Sequence, residues 1–237
     1  MVTDPKMIKA VLLDIDNTLL DFDQCTRDAM KEGFRKFELP PYKDYMFDAF
    51  LLVNNEIWRD FEQGRIDFEG ILNTRWQRVF ELLNIAFDGY TFEKYFVEYI
   101  FNSHILIDGA QELLKYLNEK YLVCAATNGP EEQQINRLKQ AGILGYFQLL
   151  FISEKMGVVK PEKEFYVQVM AQLQEKLDGN IRPEEIMAIG DSLTSDIAGG
   201  QESGMQTCYF NPENKPLEGK VIPDYSVAAL AEIKNIL

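Results

Sequence analysis

Hydrophobic and polar positions follow two different patterns along the 237-residue chain. From about residue 107 onward, short apolar runs with strand-like composition alternate with segments that have helical spacing. The apolar runs read LVCAATNG, LLFIS, IMAIGDS and MQTCYFN. Strands that alternate with helices in this way are typical of a parallel sheet. An earlier apolar run over residues 8–13 has the same character, and we expect it to belong to the same sheet.

The segments between these runs carry the start and stop signals of helices. In PEEQQINRLKQAG, Pro130 stands at the expected helix start, acidic residues follow it, and Gly142 marks the end. In DGAQELLKYLNEK, apolar residues recur at i, i+3, i+4 and i+7 and so share one helical face; they are Ala110, Leu113, Leu114 and Leu117. We therefore predict a helix in each segment.

The second pattern covers residues from about 21 to 103, where no strand-like alternation of comparable length occurs. This stretch is rich in aromatic residues at helical spacing, as in DYMFDAFLLVNNEIWRDF. The pattern predicts an all-helical insertion just after the first strand. We therefore expect an α/β domain formed by residues 1–20 and 105–237 and a helical domain formed by residues 21–104. Trp58 and Phe61 follow the helical spacing, so we expect them to pack in the helical domain.

Charge and composition exclude several classes of partner. The formal net charge is −14, which argues against a nucleic acid polymer, because binding to phosphate backbones requires clustered Lys and Arg. No apolar run approaches the ~18 residues of a membrane span, and the first residues lack the apolar segment of a signal peptide. The three cysteines, Cys25, Cys124 and Cys208, are far apart and form no CxxC pair. These features predict a cytoplasmic protein that does not bind membranes.

Two aspartates follow the first predicted strand in AVLLDIDNTLLDFD. Because strand side chains alternate with period two, Asp14 and Asp16 leave on the same side if strand geometry persists that far. In open parallel sheets, ligands bind at the carboxyl ends of the strands. Other polar residues follow the later strands at equivalent positions; these are Thr127, Asn128, Lys160, Asp191, Ser192, Thr194, Ser195 and Asp196. We expect the four strands to bring these side chains to one edge of the sheet.

The charges of this set predict a cation. Two carboxylates ~5 Å apart repel by roughly 3 kcal/mol at an effective dielectric constant of about 20, so Asp14, Asp16 and Asp191 together require a counter-charge. A divalent cation with oxygen ligands fits this requirement, and Mg²⁺ suits such a site better than Zn²⁺. Magnesium in turn suggests phosphate. Thr127, Asn128 and Lys160 carry appropriate donors for phosphoryl oxygens.

Several of these residues also have a purely structural explanation when each is considered alone. Thr127 and Asn128 could form a turn at the entry to a helix. Lys160 could be an exposed residue that the following proline holds in extended backbone. Asp196 could be a first-turn residue that the helix dipole favours. The occurrence of all the groups in one order favours a functional site.

The segments DIDNT, ATNG, VVKP and GDSLTSD resemble, in order and spacing, the four motifs of the haloacid dehalogenase superfamily of phosphohydrolases. The resemblance covers the whole chain. It implies a Rossmann-like parallel-sheet core with an inserted all-helical cap, which agrees with the two patterns described above.

The same resemblance implies a role for each matching residue. Asp14 would be the nucleophile, and Asp16 the general acid and base. Thr127 would hold the phosphoryl group, while Lys160 would neutralise both Asp14 and the phosphate. Mg²⁺ would be held by Asp14, the backbone carbonyl of Asp16 and Asp191, with Asp196 acting through the metal shell.

Asp16 favours phosphatase chemistry over dehalogenation within this superfamily. A departing halide needs no proton, whereas the alkoxide released from a phosphate ester does. We therefore expect a phosphoric monoester hydrolase with a small-molecule phosphate monoester as substrate.

The prediction of the substrate depends mainly on the helical insertion, whose sequence is less diagnostic than the four core motifs. The segment VNNEIWRDFEQGRID, together with the core motifs, is similar to the branch that contains bacterial pyrimidine 5'-nucleotidases. This similarity implies a nucleoside 5'-monophosphate as substrate. A phosphatase for a sugar phosphate or phosphoglycolate is the alternative enzyme. A phosphoacceptor signalling domain is the alternative from another class, because it also combines acidic residues, Mg²⁺, a hydroxyl group and a lysine on a parallel sheet.

Overall fold

The computed structural model describes residues 8–217 and 219–237. Within them, six strands form one sheet in which every neighbouring pair is parallel. The strand order is β3-β2-β1-β4-β5-β6. The strands are β1 (Ala10–Leu13), β2 (Leu122–Thr127), β3 (Leu149–Ile152), β4 (Ile186–Gly190), β5 (Gln206–Phe210) and β6 (Tyr225–Val227). This arrangement confirms the predicted Rossmann-like α/β sheet, whose order reverses direction beside β1.

Helices connect the strands along the chain. Four of them follow β1 without an intervening strand: α1 (Phe22–Lys36), α2 (Asp44–Glu62), α3 (Phe68–Leu83) and α4 (Gly89–Phe101). The others alternate with the later strands: α5 (Ala110–Asn118), α6 (Glu131–Gln140), α7 (Ser153–Met156), α8 (Lys163–Lys176) and α9 (Ala198–Glu202). A π-helical turn over Leu193–Ile197 precedes α9. The predicted all-helical insertion is thus present.

The chain divides into two compact units. One contains the chain up to Asp21 together with His104–Leu237 and is called the core unit here; the other is Phe22–Ser103, the helical unit. These limits differ by one residue from the predicted ones.

The sheet of the core unit is covered on both faces by apolar side chains. On one face, Val11 and Leu13 belong to a buried cluster that includes Leu113 and Leu117 of α5. On the other face, Ala10 and Leu12 of β1 belong to a second buried cluster, which includes Phe165 of α8. All four residues of β1 are buried. Burial on both faces explains why the strands read as continuous apolar runs.

The helical unit has an aromatic core of its own. The buried ring of Trp76 lies 4.2 Å from that of Phe92 and 5.4 Å from that of Phe50, measured between centroids. Trp58 and Phe61 are half-buried against this core, and their rings meet edge to face at 5.5 Å. The packing agrees with the structural role expected for these two side chains.

The sequence patterns did not predict every element. Strand β6 has only three residues, Tyr225–Val227, and pairs with β5 at the edge of the sheet. A segment this short carries too little alternation to be distinguished from a loop.

Two further findings bear on the expected cellular setting. All three cysteines are buried and none forms a disulfide. Within the described residues, no helix has both the length and the apolar character required to cross a bilayer.

Candidate active site

The chain turns sharply after β1, close to the two predicted aspartates. The strand ends at Leu13, and Asn17 adopts the left-handed conformation with φ of 55°. The backbone N–H groups of Leu19 and Leu20 both donate to the carbonyl of Ile15 at 2.9 Å. Strand geometry therefore does not persist through Asp16, and the two carboxylates bind different partners.

Lys160 is the partner of Asp14. Its ammonium donates to Asp14 Oδ1 at 2.6 Å, to Asp196 Oδ1 at 2.6 Å and to the carbonyl of Ala126 at 2.8 Å. Only 3% of the lysine is exposed. Burial alone would lower the pKa of Lys160, but the two carboxylates beside it raise that pKa above its ordinary value. Lys160 is therefore a charged group inside the site and not the exposed residue of the structural alternative.

Asn128 holds the backbone that carries this lysine. Its side-chain Nδ2 donates to the carbonyl of Lys160 at 2.9 Å, and its Oδ1 accepts from the Lys160 N–H at 2.9 Å. Both ends of the amide are thus used to position Lys160. Direct binding of a phosphoryl group by Asn128 stays a prediction.

The π-helical turn after β4 positions Asp196. Because this turn is wider than an α-helical one, it allows the Asp196 side chain to point back, where its Oδ2 accepts from the N–H of Ser192 at 3.1 Å. Gly190 leaves room for this arrangement, since a Cβ at that position would lie 2.1 Å from Asp196 Oδ2. Asp196 therefore contacts Lys160 directly, in addition to any role near a metal.

Three carboxylates form the acidic cluster of the site. One oxygen from each of Asp14, Asp191 and Asp196 lies within 4.8 Å of the others. The Asp16 carboxylate is not a member of this cluster. Lys160 contacts two of the three clustered carboxylates, Asp14 and Asp196.

The acidic cluster has the composition of a magnesium site. Burial raises the pKa of Asp14 to about 7, with Asp196 adding to the effect and Lys160 opposing it. A divalent cation beside these oxygens would favour the ionised form of Asp14. The donors are all oxygen atoms, which Mg²⁺ prefers. The residues present therefore fit the predicted cofactor.

Thr127 and Asp16 belong to a second group of side chains. Thr127 is the last residue of β2, and its hydroxyl oxygen accepts from the Gly129 N–H at 3.0 Å and from Gln134 Nε2 at 2.8 Å. Asp16 accepts from the same Gln134 nitrogen at 2.7 Å and from Arg137. Gln134 therefore links the predicted phosphate donor to the predicted general acid.

Gln134 and Arg137 were not identified from the sequence as site residues. Both lie on α6, and both are fully buried. The only trace in the sequence is that α6 has just two apolar residues, Ile135 and Leu138, so polar side chains must complete its buried face. Two polar residues three positions apart on the buried face of a helix require buried partners, because unpaired polar groups are costly there.

The architecture is a Rossmann-like α/β fold: a parallel sheet with an acidic cluster and a block of helices inserted after the first strand. The chain belongs to the haloacid dehalogenase-like hydrolase family, which matches residues 8–204. This finding confirms the resemblance found in the four motifs.

Individual relatives resemble the chain over nearly its whole length. The HAD-hydrolase YfnB of Bacillus subtilis is 33% identical over 98% of this chain and 96% of its own. The pyrimidine 5'-nucleotidase PynA of Streptococcus pneumoniae is 33% identical, with 97% of each chain covered, and the pyrimidine 5'-nucleotidase YjjG of Escherichia coli is 27% identical, with 96% of each covered. A crystal structure of YfnB bound to magnesium superposes with a TM-score of 0.86 at 32% identity, over 97% of this chain and 98% of that one.

Proposed function

We propose that the protein is a Mg²⁺-dependent phosphatase that forms an aspartyl phosphate and acts on pyrimidine nucleoside 5'-monophosphates. The observation that carries the chemical part is the separation of two aspartates into two environments. Asp14 contacts a buried ammonium inside an acidic cluster, whereas Asp16 contacts Gln134 and Arg137 outside it. Two carboxylates in different environments can perform two different tasks.

In the first half-reaction, Asp14 is the nucleophile. A carboxylate oxygen of Asp14 bonds to phosphorus while the bond from phosphorus to the ester oxygen breaks. Asp16 donates a proton to that departing oxygen, so that an alcohol is released and not an alkoxide. Lys160 orients Asp14, and Thr127 donates its hydroxyl hydrogen to a phosphoryl oxygen.

In the second half-reaction, water hydrolyses the aspartyl phosphate. Asp16, now ionised, accepts a proton from water as the new oxygen bonds to phosphorus. The bond between Asp14 and phosphorus breaks, which releases inorganic phosphate and restores both aspartates.

The residues that would hold Mg²⁺ are Asp14 and Asp191 through their carboxylates and Asp16 through its backbone carbonyl. Asp196 would complete the shell around the metal while it holds Lys160. When bound, the ion supplies positive charge for the nucleophile and for the phosphoryl oxygens.

The pyrimidine preference rests on similarity. PynA and YjjG are pyrimidine 5'-nucleotidases, and each matches nearly all of this chain. The residues described above act on the phosphoryl group, which all phosphate monoesters share. Discrimination between bases must therefore come from contacts outside the reacting group, and binding energy from the base can then raise kcat/KM.

A substrate panel tests this proposal. The purified protein with Mg²⁺ is assayed for phosphate release from dUMP, dAMP, ribose 5-phosphate and phosphoglycolate under one set of conditions. We expect dUMP to have the highest kcat/KM. Equal or greater efficiency on the last two compounds would overturn the nucleotidase assignment in favour of a sugar-phosphate or phosphoglycolate phosphatase.

The same assay addresses the signalling alternative. A phosphatase releases many equivalents of inorganic phosphate per protein molecule, whereas a phosphoacceptor domain that stays phosphorylated retains the phosphoryl group and releases only one equivalent of alcohol. Release of no more than one equivalent of inorganic phosphate would contradict the enzymatic proposal.

A further inference from the structure

The Asp16 carboxylate is held at both oxygens by side chains of α6. Its Oδ2 accepts from Gln134 Nε2 at 2.7 Å, and its Oδ1 accepts from Arg137 Nη1. Both donors are fully buried, while the Asp16 side chain is 30% exposed. Two donors on one rigid helix leave the carboxylate little rotational freedom.

Arg137 also determines which way the Gln134 amide points. The guanidinium donates to Gln134 Oε1 at 3.1 Å, from a position three residues further along the same helix. The amide oxygen is thereby committed to Arg137, and the amide nitrogen faces the two acceptors, Asp16 and Thr127. The three side chains therefore have a defined pattern of donors and acceptors.

This pattern fixes the direction of the Thr127 hydroxyl as well. A hydroxyl oxygen has two lone pairs and one hydrogen. Gly129 N–H and Gln134 Nε2 both donate to the Thr127 oxygen, so its hydrogen is the remaining group for a further hydrogen bond. The hydrogen bond from Gln134 therefore leaves the Thr127 hydroxyl to act as a donor toward a third group.

Gly129 is the residue that allows this close approach. A Cβ at position 129 would lie 2.5 Å from Gln134 Nε2. The glycine of the ATNG segment therefore has a specific steric function, in addition to its place in the turn that follows β2.

We infer that Gln134 and Arg137 are positioning residues for catalysis: Arg137 aligns Asp16 with the leaving oxygen, and Gln134 aligns Asp16 and directs the Thr127 hydrogen toward the phosphoryl group. The inference rests on the proposed phosphatase function. Because neither side chain is exposed, both act through Asp16 and Thr127 and not by touching the substrate.

The test exploits the leaving group. An alkyl phosphate such as dUMP needs a proton on its leaving oxygen, whereas p-nitrophenyl phosphate releases a stable phenolate without one. The ratio kcat/KM reports the steps up to formation of the aspartyl phosphate, which are the steps that use the acid. We compare both substrates for Arg137→Met, Gln134→Met and the reference variant Asp16→Asn. If dUMP is not hydrolysed, the alkyl phosphate that the panel shows to be best replaces it.

Each variant has its own expected result. Arg137→Met should lose ~10- to 10²-fold in kcat/KM on the alkyl phosphate and almost nothing on p-nitrophenyl phosphate, because misplaced general acids are costly only where a proton is needed. Gln134→Met should lower kcat/KM on both substrates, because Thr127 is no longer held as a donor to the phosphoryl group, with a further ~10- to 10²-fold loss confined to the alkyl phosphate, because Asp16 also loses a partner. It should also raise the inhibition constant of inorganic phosphate. Equal losses of Arg137→Met on the two substrates, or none on either, would overturn the inference.

Controls separate this inference from folding and from the proposed function. Gln133→Met makes the same chemical change at the adjacent, half-buried position of α6 and should leave kcat/KM on both substrates unchanged.

Circular dichroism and thermal unfolding check that each variant is folded. If Arg137→Met does not fold, Arg137→Lys keeps the charge but, with a shorter side chain, does not place its nitrogen where Arg137 Nη1 meets both Asp16 and Gln134, and it should show the same selectivity. If Asp16→Asn itself shows no leaving-group selectivity, the acid role in the proposed function fails. If Asp16→Asn is selective and the α6 variants are not, only the positioning role fails.

Discussion

The ammonium of Lys160 lies 2.6 Å from a carboxylate oxygen of Asp14, although the two residues are 146 positions apart. Asp14 follows β1, and Lys160 lies in the loop between α7 and α8, beyond β3. Parallel strands bring their carboxyl ends to one edge of a sheet, which is where such distant residues meet. The contact fixes one carboxylate oxygen of Asp14 beside a buried ammonium.

Replacement of the nucleophile should abolish turnover. Asp14→Asn keeps the size of the side chain, but its amide cannot form the aspartyl phosphate, so kcat should fall at least ~10³-fold. The measurement is phosphate release by protein purified free of contaminating phosphatase. Asp108→Asn makes the same change at an exposed position of the core unit and should retain full activity. Substantial turnover by Asp14→Asn would refute its assignment as nucleophile.

Metal removal should abolish activity reversibly. Excess chelator should eliminate phosphate release, and added Mg²⁺ should restore it, because Asp14, Asp191 and Asp196 then regain their counter-charge. Ca²⁺ should substitute poorly, since it favours longer bonds and more ligands. Asp191→Ala should raise the Mg²⁺ concentration needed for half-maximal activity. Unchanged activity in excess chelator would contradict the proposed cofactor.

A methyl group at position 190 should disturb the site through Asp196. Gly190→Ala places a Cβ against Asp196 Oδ2, so the carboxylate must move away from Lys160. We expect about 10²-fold lower kcat, the typical effect of a small misplacement, and a loss of about 1–3 kcal/mol in the free energy of unfolding from overpacking. Gly145→Ala is the matched control, because nothing lies within 4 Å of the Cβ added there. Wild-type kcat in Gly190→Ala would show that the Asp196 contact is dispensable.

The helical unit contains a buried ion pair whose removal should be costly. Arg75 donates to both carboxylate oxygens of Glu93, and each residue is at most 5% exposed. Arg75→Met leaves Glu93 buried without its cation and should lower the free energy of unfolding by about 3–5 kcal/mol. The double variant Arg75→Met with Glu93→Leu should recover much of that loss. Urea unfolding of the three proteins provides the measurement.

The pH dependence of this loss has a defined sign. Burial raises the pKa of Glu93 above its ordinary value of 4.5, while Arg75 opposes the shift. Without Arg75 the pKa of Glu93 should rise further, and the folded state then holds a proton that the unfolded state has lost. The stability deficit of Arg75→Met should therefore be small at about pH 4 and grow toward about pH 7. A deficit that is independent of pH would show that Glu93 charge is not its cause.

The hydrophobic pattern alone was sufficient for the core of the fold. Strands buried on both faces are predominantly apolar, so β1, β2, β4 and β5 were visible as apolar runs, although β5 begins with the buried polar residues Gln206 and Thr207. The insertion was visible because its apolar residues follow a helical period. Among the six described strands, the edge strand Tyr225–Val227 was not predicted, because three residues are too few to show a pattern.

The chemical groups that follow the strands could also be identified without a structure, because they stand at fixed distances from apolar runs. Which of these groups contact one another depends on the packing of the elements. Alternation predicted that Asp14 and Asp16 leave on the same side, but the Asp16 carboxylate binds Gln134 and Arg137, while Asp196 joins Asp14 and Asp191. Likewise, Gln134 and Arg137 read as ordinary helix residues until α6 packs beside Asp16. Contacts between residues more than one hundred positions apart depend on how helices and strands pack together. The spacing of residues within one segment of sequence contains no information about that packing.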